Sequence, residues 1–136
     1  MKLKTKKIYL KDMKKIFSNI PKNKLKQNPL IYKFSTITLQ NYNFGITQIN
    51  PGKIGKQNYM TSGHKHKRKF PEIYFLIKGK AQLILKNKNK RRVIEMKKNR
   101  FYLIKPEYFH RVINTGKTKL IFGTLCHKKA GHIYKF

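Results

Sequence analysis

Acidic residues are nearly absent from this 136-residue chain, which has four Asp and Glu against 34 Lys and Arg and a formal charge of +30. Such a charge attracts polyanions nonspecifically, and RNA binding is one function that it suggests. However, the basic residues are 29 lysines and only five arginines, and the lysines run from Lys2 to Lys135. Because base readout favours the bidentate guanidinium and a binding stripe needs clustered charge, the composition argues against nucleic-acid recognition as the main function.

Cysteine and long apolar runs are also scarce. The single cysteine, Cys126, excludes an internal disulfide and fits a reducing compartment. It lies in an apolar run over 120–126, where we expect a buried small side chain rather than a reactive thiol. No stretch approaches the roughly 18 apolar residues of a membrane helix, and the lysine-rich start of the chain lacks the apolar region of a signal peptide. We therefore expect a cytoplasmic protein with no membrane insertion.

Short alternating apolar runs dominate the rest of the chain and predict strands. The predicted strands are 31–39, 44–49, 72–77, 81–85, 93–96, 100–104, 109–113 and 119–125. The sequence also predicts a short helix over 11–17, a loop between Pro21 and Pro29, and a solvated hairpin loop over 86–92. Turn signals every ~8 to 12 residues indicate a single all-β domain, an antiparallel sandwich or jelly-roll barrel. The barrel is expected over 31–136, with the N-terminal segment 1–30 packing on it.

Four residues have the chemistry and spacing of metal ligands. His64 and His66 project to one face of an extended segment while Lys65 points away, and Glu72 follows six residues later. Closing a barrel can bring His110 to the same place. This mixture of imidazoles and a carboxylate suits Fe, Mn, Ni, Cu or Zn better than Ca or Mg.

The same residues resemble the two motifs of the cupin superfamily. Those motifs are Gly63-His64-x-His66 with Glu72 and Gly79, then Pro106, His110 and Asn114. Further segments resemble the cupin-type glucose-6-phosphate isomerases, among them 51–56, 61–66, 72–74, 76–80, 110–116 and 130–134. The resemblance covers nearly all of the chain, although the spacing from His66 to Glu72 is one residue shorter than in that family. The position of a tyrosine near the end of the family's chain is occupied by Cys126.

The resemblance implies a double-stranded β-helix that interconverts glucose 6-phosphate and fructose 6-phosphate as a homodimer, a step of glycolysis and gluconeogenesis. It implies one divalent metal ion per subunit, usually Fe(II), with Mn, Ni or Zn able to substitute. The implied metal ligands are His64, His66, Glu72 and His110. The implied catalytic residues are Glu72, His110, Tyr74 and His132, and the implied substrate-binding residues are Tyr32, Thr47, Thr61, Gly63 and Tyr134.

Other interpretations stay open at this point. The same ligand set would serve another metal-dependent cupin, such as a sugar-phosphate epimerase or an oxygenase, and a noncatalytic basic cupin could bind RNA or other polyanions. Without the motifs, Tyr32 and Tyr74 would be ordinary core residues, and Thr47 and Thr61 ordinary strand or turn residues. His132 could be an exposed structural histidine. The sequence also leaves open whether isomerisation runs through an enediol or a hydride shift.

Overall fold

Strands form most of the protein. The computed structural model describes residues 2–134. The elements, in chain order, are β1 Lys4–Tyr9, a 3-10 helix Leu10–Met13, α1 Lys22–Gln27, β2 Leu30–Leu39, β3 Tyr42–Ile49, β4 Lys53–Ile54, β5 Gln57–Asn58, β6 Lys65–His66, β7 Glu72–Lys78, β8 Ala81–Asn87, β9 Lys90–Glu95, β10 Phe101–Ile104, β11 Phe109–Asn114, β12 Leu120–His127 and β13 His132–Ile133. In this part of the chain no helix is long and apolar enough to cross a bilayer. The all-β fold class predicted from the alternating runs is confirmed.

Two antiparallel sheets pack face to face around the core. The larger has the order β1-β2-β3-β12-β7-β10, and the smaller has the order β11-β8-β9. The core contains Ile49, Leu76 and Phe122 from the larger sheet together with Leu83 and Val112 from the smaller one. Because β12 inserts between β3 and β7, strands far apart in sequence become neighbours, which is the jelly-roll arrangement.

Strand register decides which side chains of the larger sheet face inward. Cys126 lies opposite Glu72, and Thr124 lies opposite Tyr74. Thr47 lies opposite Phe122 on the other side of β12. Since side chains alternate between the two faces of a strand, these residues share the inner face and the apolar residues between them project outward.

The segment between Pro21 and Pro29 is a helix, and the prediction of a loop there was wrong. Helix α1 starts directly after Pro21 and ends at Asn28, whose backbone is left-handed (φ 49°). A proline before the first turn and a left-handed residue at the end are helix start and stop signals, with Pro29 preventing continuation. The helix predicted over 11–17 is instead the shorter 3-10 helix Leu10–Met13.

The predicted hairpin loop over 86–92 is mostly strand. Lys86 pairs with Arg91 and Asn87 pairs with Lys90, so only the two residues between them form the turn. Both strands are largely exposed here, which removes the apolar alternation from which strands are predicted. The sequence also missed β1, which has one buried residue, Ile8, and forms by pairing with β2. The two-residue strands β4, β5, β6 and β13 were missed as well.

Candidate metal centre

Strand pairing brings the four predicted ligands together. His66 lies in β6, Glu72 opens β7 and His110 lies in β11. His64, just before β6, forms a bridge with His110 in which each backbone N–H donates to the other's carbonyl, at 3.1 and 2.9 Å. The short spacing from His66 to Glu72 therefore does not prevent the carboxylate from reaching the histidines.

The three imidazoles surround one carboxylate oxygen. Glu72 Oε1 lies 3.4 Å from His64 Nε2, 3.2 Å from His66 Nε2 and 2.9 Å from His110 Nε2. The four potential ligand atoms all lie within 4.8 Å of one another. His66, Glu72 and His110 are buried, so these polar groups require a partner that compensates for lost hydration.

Backbone carbonyls orient two of the rings. His66 Nδ1 lies 2.6 Å from Phe70 O, and His110 Nδ1 lies 3.3 Å from Tyr108 O. With each Nδ1–H donating to its carbonyl, a neutral ring directs the Nε2 lone pair towards the centre of the cluster. His64 Nε2 is buried and has no hydrogen-bond partner among residues 2–134. Lone pairs that converge with a carboxylate on one point fit a divalent cation.

The ionisation of the cluster agrees with a cation site. Burial would raise the pKa of Glu72, but the adjacent imidazoles of His110, His64 and His66 lower that pKa well below its ordinary value. Burial lowers the pKa of His64 and outweighs its attraction to Glu72. For His66 the balance is reversed, because Glu72 and Phe70 O raise the pKa despite burial. The carboxylate is thus held as an anion beside imidazoles.

A cavity of about 130 Å³ opens above the cluster, and it collects all of the other predicted site residues. His64 and Glu72 form part of its lining. The remaining predicted residues that line it are Tyr32, Thr47, Thr61, Gly63, Tyr74, His132 and Tyr134. The wall is therefore rich in hydroxyl groups, while the metal-binding cluster lies at its floor.

The mouth of the cavity contains the loop Thr61-Ser62-Gly63. Arg111 holds this loop from behind: its Nε donates to Thr61 O at 3.2 Å and its Nη2 donates to Ser62 O at 2.9 Å. The Tyr32 hydroxyl contacts Ser62 Oγ at 2.9 Å. Gly63 has φ 82°, a left-handed conformation that side-chain-bearing residues rarely adopt.

Two aromatic residues that line the cavity have altered acidities. Burial, with His64 adding to the effect, lowers the pKa of His132 to about 4, so this ring is neutral at pH 7. Burial and the charge of Glu72 raise the pKa of Tyr74 well above 10. The His132 ring lies 4.2 Å from that of His64, and its Nδ1 lies 3.2 Å from the Tyr134 hydroxyl. A neutral base and a protonated phenol thus border one cavity.

The sequence missed several residues that shape the site. Arg111 follows a ligand directly, but a single basic residue among 34 carries no signal. His127 stacks on Phe70 with ring centroids 4.0 Å apart, and Phe70 supplies the carbonyl that orients His66. Cys126 was expected to be buried, but it is half-buried and lines the cavity. Burial and nearby Glu72 raise the pKa of its thiol to about 12, which agrees with an unreactive cysteine.

The fold and the ligand set define this protein as a cupin. A cupin-2 domain from Rhodospirillum rubrum superposes with a TM-score of 0.62 at 10% identity, covering 78% of this chain and 66% of the other. An oxalate oxidase bound to glycolate superposes with a TM-score of 0.60 at 14% identity, covering 97% and 54%. At these identities the likeness concerns the fold.

Within the cupins, the chain belongs to the glucose-6-phosphate isomerase (GPI) family, whose model matches residues 23–136. The glucose-6-phosphate isomerase of Thermococcus litoralis is 35% identical over 113 residues, covering 79% of this chain and 60% of the relative. That of Pyrococcus abyssi is 33% identical over 115 residues, covering 80% and 61%. The chain thus spans about 60% of the length of these relatives.

Proposed function

We propose that this chain is a metal-dependent aldose-ketose isomerase that interconverts glucose 6-phosphate and fructose 6-phosphate. The observation that carries the proposal is the convergence of three imidazole Nε2 atoms on Glu72 Oε1 at the floor of a cavity whose wall bears hydroxyls. Membership of the family and relatives bearing that activity's name support the choice of substrate. The proposed location, from the single cysteine, is the cytoplasm.

One divalent ion per subunit would be held by His64, His66, Glu72 and His110. Fe(II) is the proposed ion, and Mn, Ni or Zn are expected to substitute because they accept the same nitrogen and oxygen ligands. When bound, such an ion polarises the oxygens on C1 and C2 and stabilises the negative charge that develops there. His66, Glu72 and His110 are buried, so the reacting end of the sugar would enter the cavity first.

The phosphate end would then lie at the mouth. The hydroxyl of Thr47, the hydroxyl of Thr61 and the backbone of Gly63 all line the cavity there. Thr61 Oγ1 accepts the Val112 N–H at 3.1 Å, which leaves the hydroxyl hydrogen available to donate to a phosphate oxygen. Tyr32 and Tyr134 would close the two sides of this subsite.

Proton transfer between C1 and C2 needs a base that is neutral or anionic and an acid that is protonated. His132, whose pKa is about 4, is unprotonated at pH 7 and can accept a proton. Glu72, with its pKa lowered by three histidines, is the second candidate base. Tyr74 keeps its proton, because its pKa is raised well above 10, and can donate a hydrogen bond to a sugar oxygen.

The direct test is turnover of fructose 6-phosphate by purified protein loaded with Fe(II), compared with protein stripped of metal. We expect isomerisation only in the loaded sample, and full activity without metal would contradict the proposal. Oxygen uptake measured in the same samples separates an oxygenase from an isomerase. RNA binding that persists after ligand mutation, with no turnover, would indicate a noncatalytic basic cupin.

We also propose that the protein is a homodimer joined through the outer face of the larger sheet. Phe44 and Ile46 of β3 and Phe101 and Leu103 of β10 are exposed. Through pairing with β12 and β7 they belong to two adjacent rows of outward positions. Burying such rows favours association. Light scattering of the protein and a Phe101→Ser/Leu103→Ser variant tests this, and a wild-type monomer would refute it.

A further inference from the structure

A second cavity, of about 620 Å³, lies beside the mouth of the first. The two cavities share four lining residues: Tyr32, Phe34, Ser62 and Tyr134. Two of the shared residues contact each other, since Tyr32 Oη lies 2.9 Å from Ser62 Oγ. The second cavity therefore begins where the first one ends, on the side of the proposed phosphate subsite.

Lysines converge on this second cavity, which we call the lysine groove. Those that line it are Lys6, Lys7, Lys11, Lys14 and Lys15. In the pairing of β1 with β2, Lys6 lies opposite Phe34 and Ile8 lies opposite Tyr32. Directly opposed side chains lie on the same face of a sheet, with Cβ atoms about 4.5 to 5.5 Å apart. Strand β1 thus extends the wall of the metal cavity by one strand. Lys6, which is part of β1, therefore lies beside that cavity.

Lys11, Lys14 and Lys15 stand on an anchored support. Leu10 and Met13 of the 3-10 helix are fully buried. The Leu10 N–H donates to Pro29 O at 3.0 Å, and the Lys11 N–H donates to Asn28 Oδ1 at 2.9 Å. These contacts tie the helix to the start of β2. The lysines of the helix and of the turn after it are therefore carried at defined positions rather than on a free tail.

The charge of the groove is strongly unbalanced. Asp12 is the one acidic residue in its lining, and Asp12 Oδ2 accepts the Tyr9 N–H at 2.8 Å. Lys7 lies opposite Lys33, on the other face of β1 from Lys6, so four lysines and one carboxylate face the groove and leave a formal excess of three positive charges. Positive charges that face one concave space repel one another, and the concave shape strengthens their electrostatic field. A bound multivalent anion would reduce this repulsion.

All five lysines precede residue 23, so they lie outside the segment that matches the family model. We propose that the lysine groove binds a linear oligophosphate whose terminal phosphate occupies the subsite at Thr61 and Gly63 and whose remaining phosphates contact the lysines. The terminal contact rests on the proposed function. Such a ligand blocks the mouth and competes with the sugar phosphate.

Inorganic tripolyphosphate is the probe, titrated calorimetrically into metal-loaded protein at about 0.1 M salt. We expect the triple variant Lys6→Ala/Lys11→Ala/Lys15→Ala to bind it at least about tenfold more weakly, because three charge contacts are lost. The matched control, Lys90→Ala/Lys97→Ala/Lys117→Ala, loses the same charge from exposed positions outside the groove. It should change affinity by less than about threefold.

Metal content is measured after each titration, so that removal of metal by the probe is recognised equally in all variants. Equal weakening in both triple variants would assign binding to overall charge and overturn the proposal. Inorganic phosphate or fructose 6-phosphate should displace tripolyphosphate, and a failure of both to compete would overturn the shared subsite. If fructose 6-phosphate does not bind at all, the proposed function fails, whereas the difference between the triple variants still tests the groove.

A nucleoside triphosphate provides the second arm. It carries the same phosphate chain, and the lysine groove supplies contacts to phosphates, so we expect it to bind no more tightly than inorganic tripolyphosphate. Binding at least about tenfold tighter would show that a base or sugar is recognised. That result would overturn the assignment to a bare phosphate chain.

Discussion

The floor and the mouth of the metal cavity are built differently. At the floor, ligands on paired strands are oriented by backbone carbonyls, Phe70 O for His66 and Tyr108 O for His110. At the mouth, the Thr61-Ser62-Gly63 loop is held from outside by Arg111, and the short strand β13 carries the partly exposed His132. The difference teaches that the metal end is defined by the barrel itself, whereas the substrate end depends on a few side-chain contacts. Mutations should therefore separate metal binding from substrate binding.

The largest effect is expected at the floor, from Glu72→Gln. This change keeps the shape but removes the charge that the three histidines surround. We expect loss of bound metal and a fall in turnover of about a thousandfold or more, because metal catalysis contributes several kcal/mol. Metal analysis and a fructose 6-phosphate assay measure both. Glu107→Gln, at an exposed acid, is the control, and a Glu72→Gln protein with full metal content would contradict the assignment.

His132→Gln tests whether the mouth contributes to chemistry without contributing to the metal site. The ring lies 5.6 Å from that of His66 and is not in the ligand cluster. We expect kcat to fall about a hundredfold, as for loss of a general base, with metal content unchanged. Loss of metal together with activity would place His132 in the metal site. The mouth would then not be separate from the floor in its effect on metal binding. His127→Gln, at the other histidine outside the cluster, should lower kcat much less.

Thr47→Val tests the proposed phosphate subsite. The threonine is buried in β3 and lines the cavity, and valine has nearly the same shape. A lost hydrogen bond to a charged phosphate should raise KM for fructose 6-phosphate about tenfold, with kcat little changed. Steady-state kinetics with fructose 6-phosphate measure KM and kcat separately. A fall in kcat at constant KM would mean that Thr47 acts on the reacting end of the sugar.

The smallest effect is expected from Arg111→Met, which removes the two hydrogen bonds to Thr61 O and Ser62 O. Arg111 is a positioning residue, so we expect KM to rise only about fivefold, with metal content and kcat retained. Arg111→Lys can restore one of the two bonds and should recover part of the loss. If KM is unchanged in Arg111→Met, the loop keeps its shape without the guanidinium.

Prediction from sequence succeeded where residue chemistry is unusual or alternation is strong. His64, His66, Glu72 and His110 were predicted together because nitrogen and oxygen ligands at such spacing are rare in a chain of lysines, and the structure places them in one cluster. The prediction failed at β1 and at the β8–β9 hairpin, where exposed lysines conceal the strands. Pairing energy from a neighbouring strand overrides local preference in such segments.

The chain's pattern alone determined the all-β class and the set of candidate metal ligands, since both follow from alternation and side-chain chemistry that are local properties. Three features depended on the tertiary structure. They are the meeting of all three imidazoles at Glu72 Oε1, the two hydrogen bonds from Arg111 to the mouth loop, and the position of the lysines of residues 6–15 beside that loop. The physical reason is strand register, which sets distances between residues that no spacing along the chain encodes.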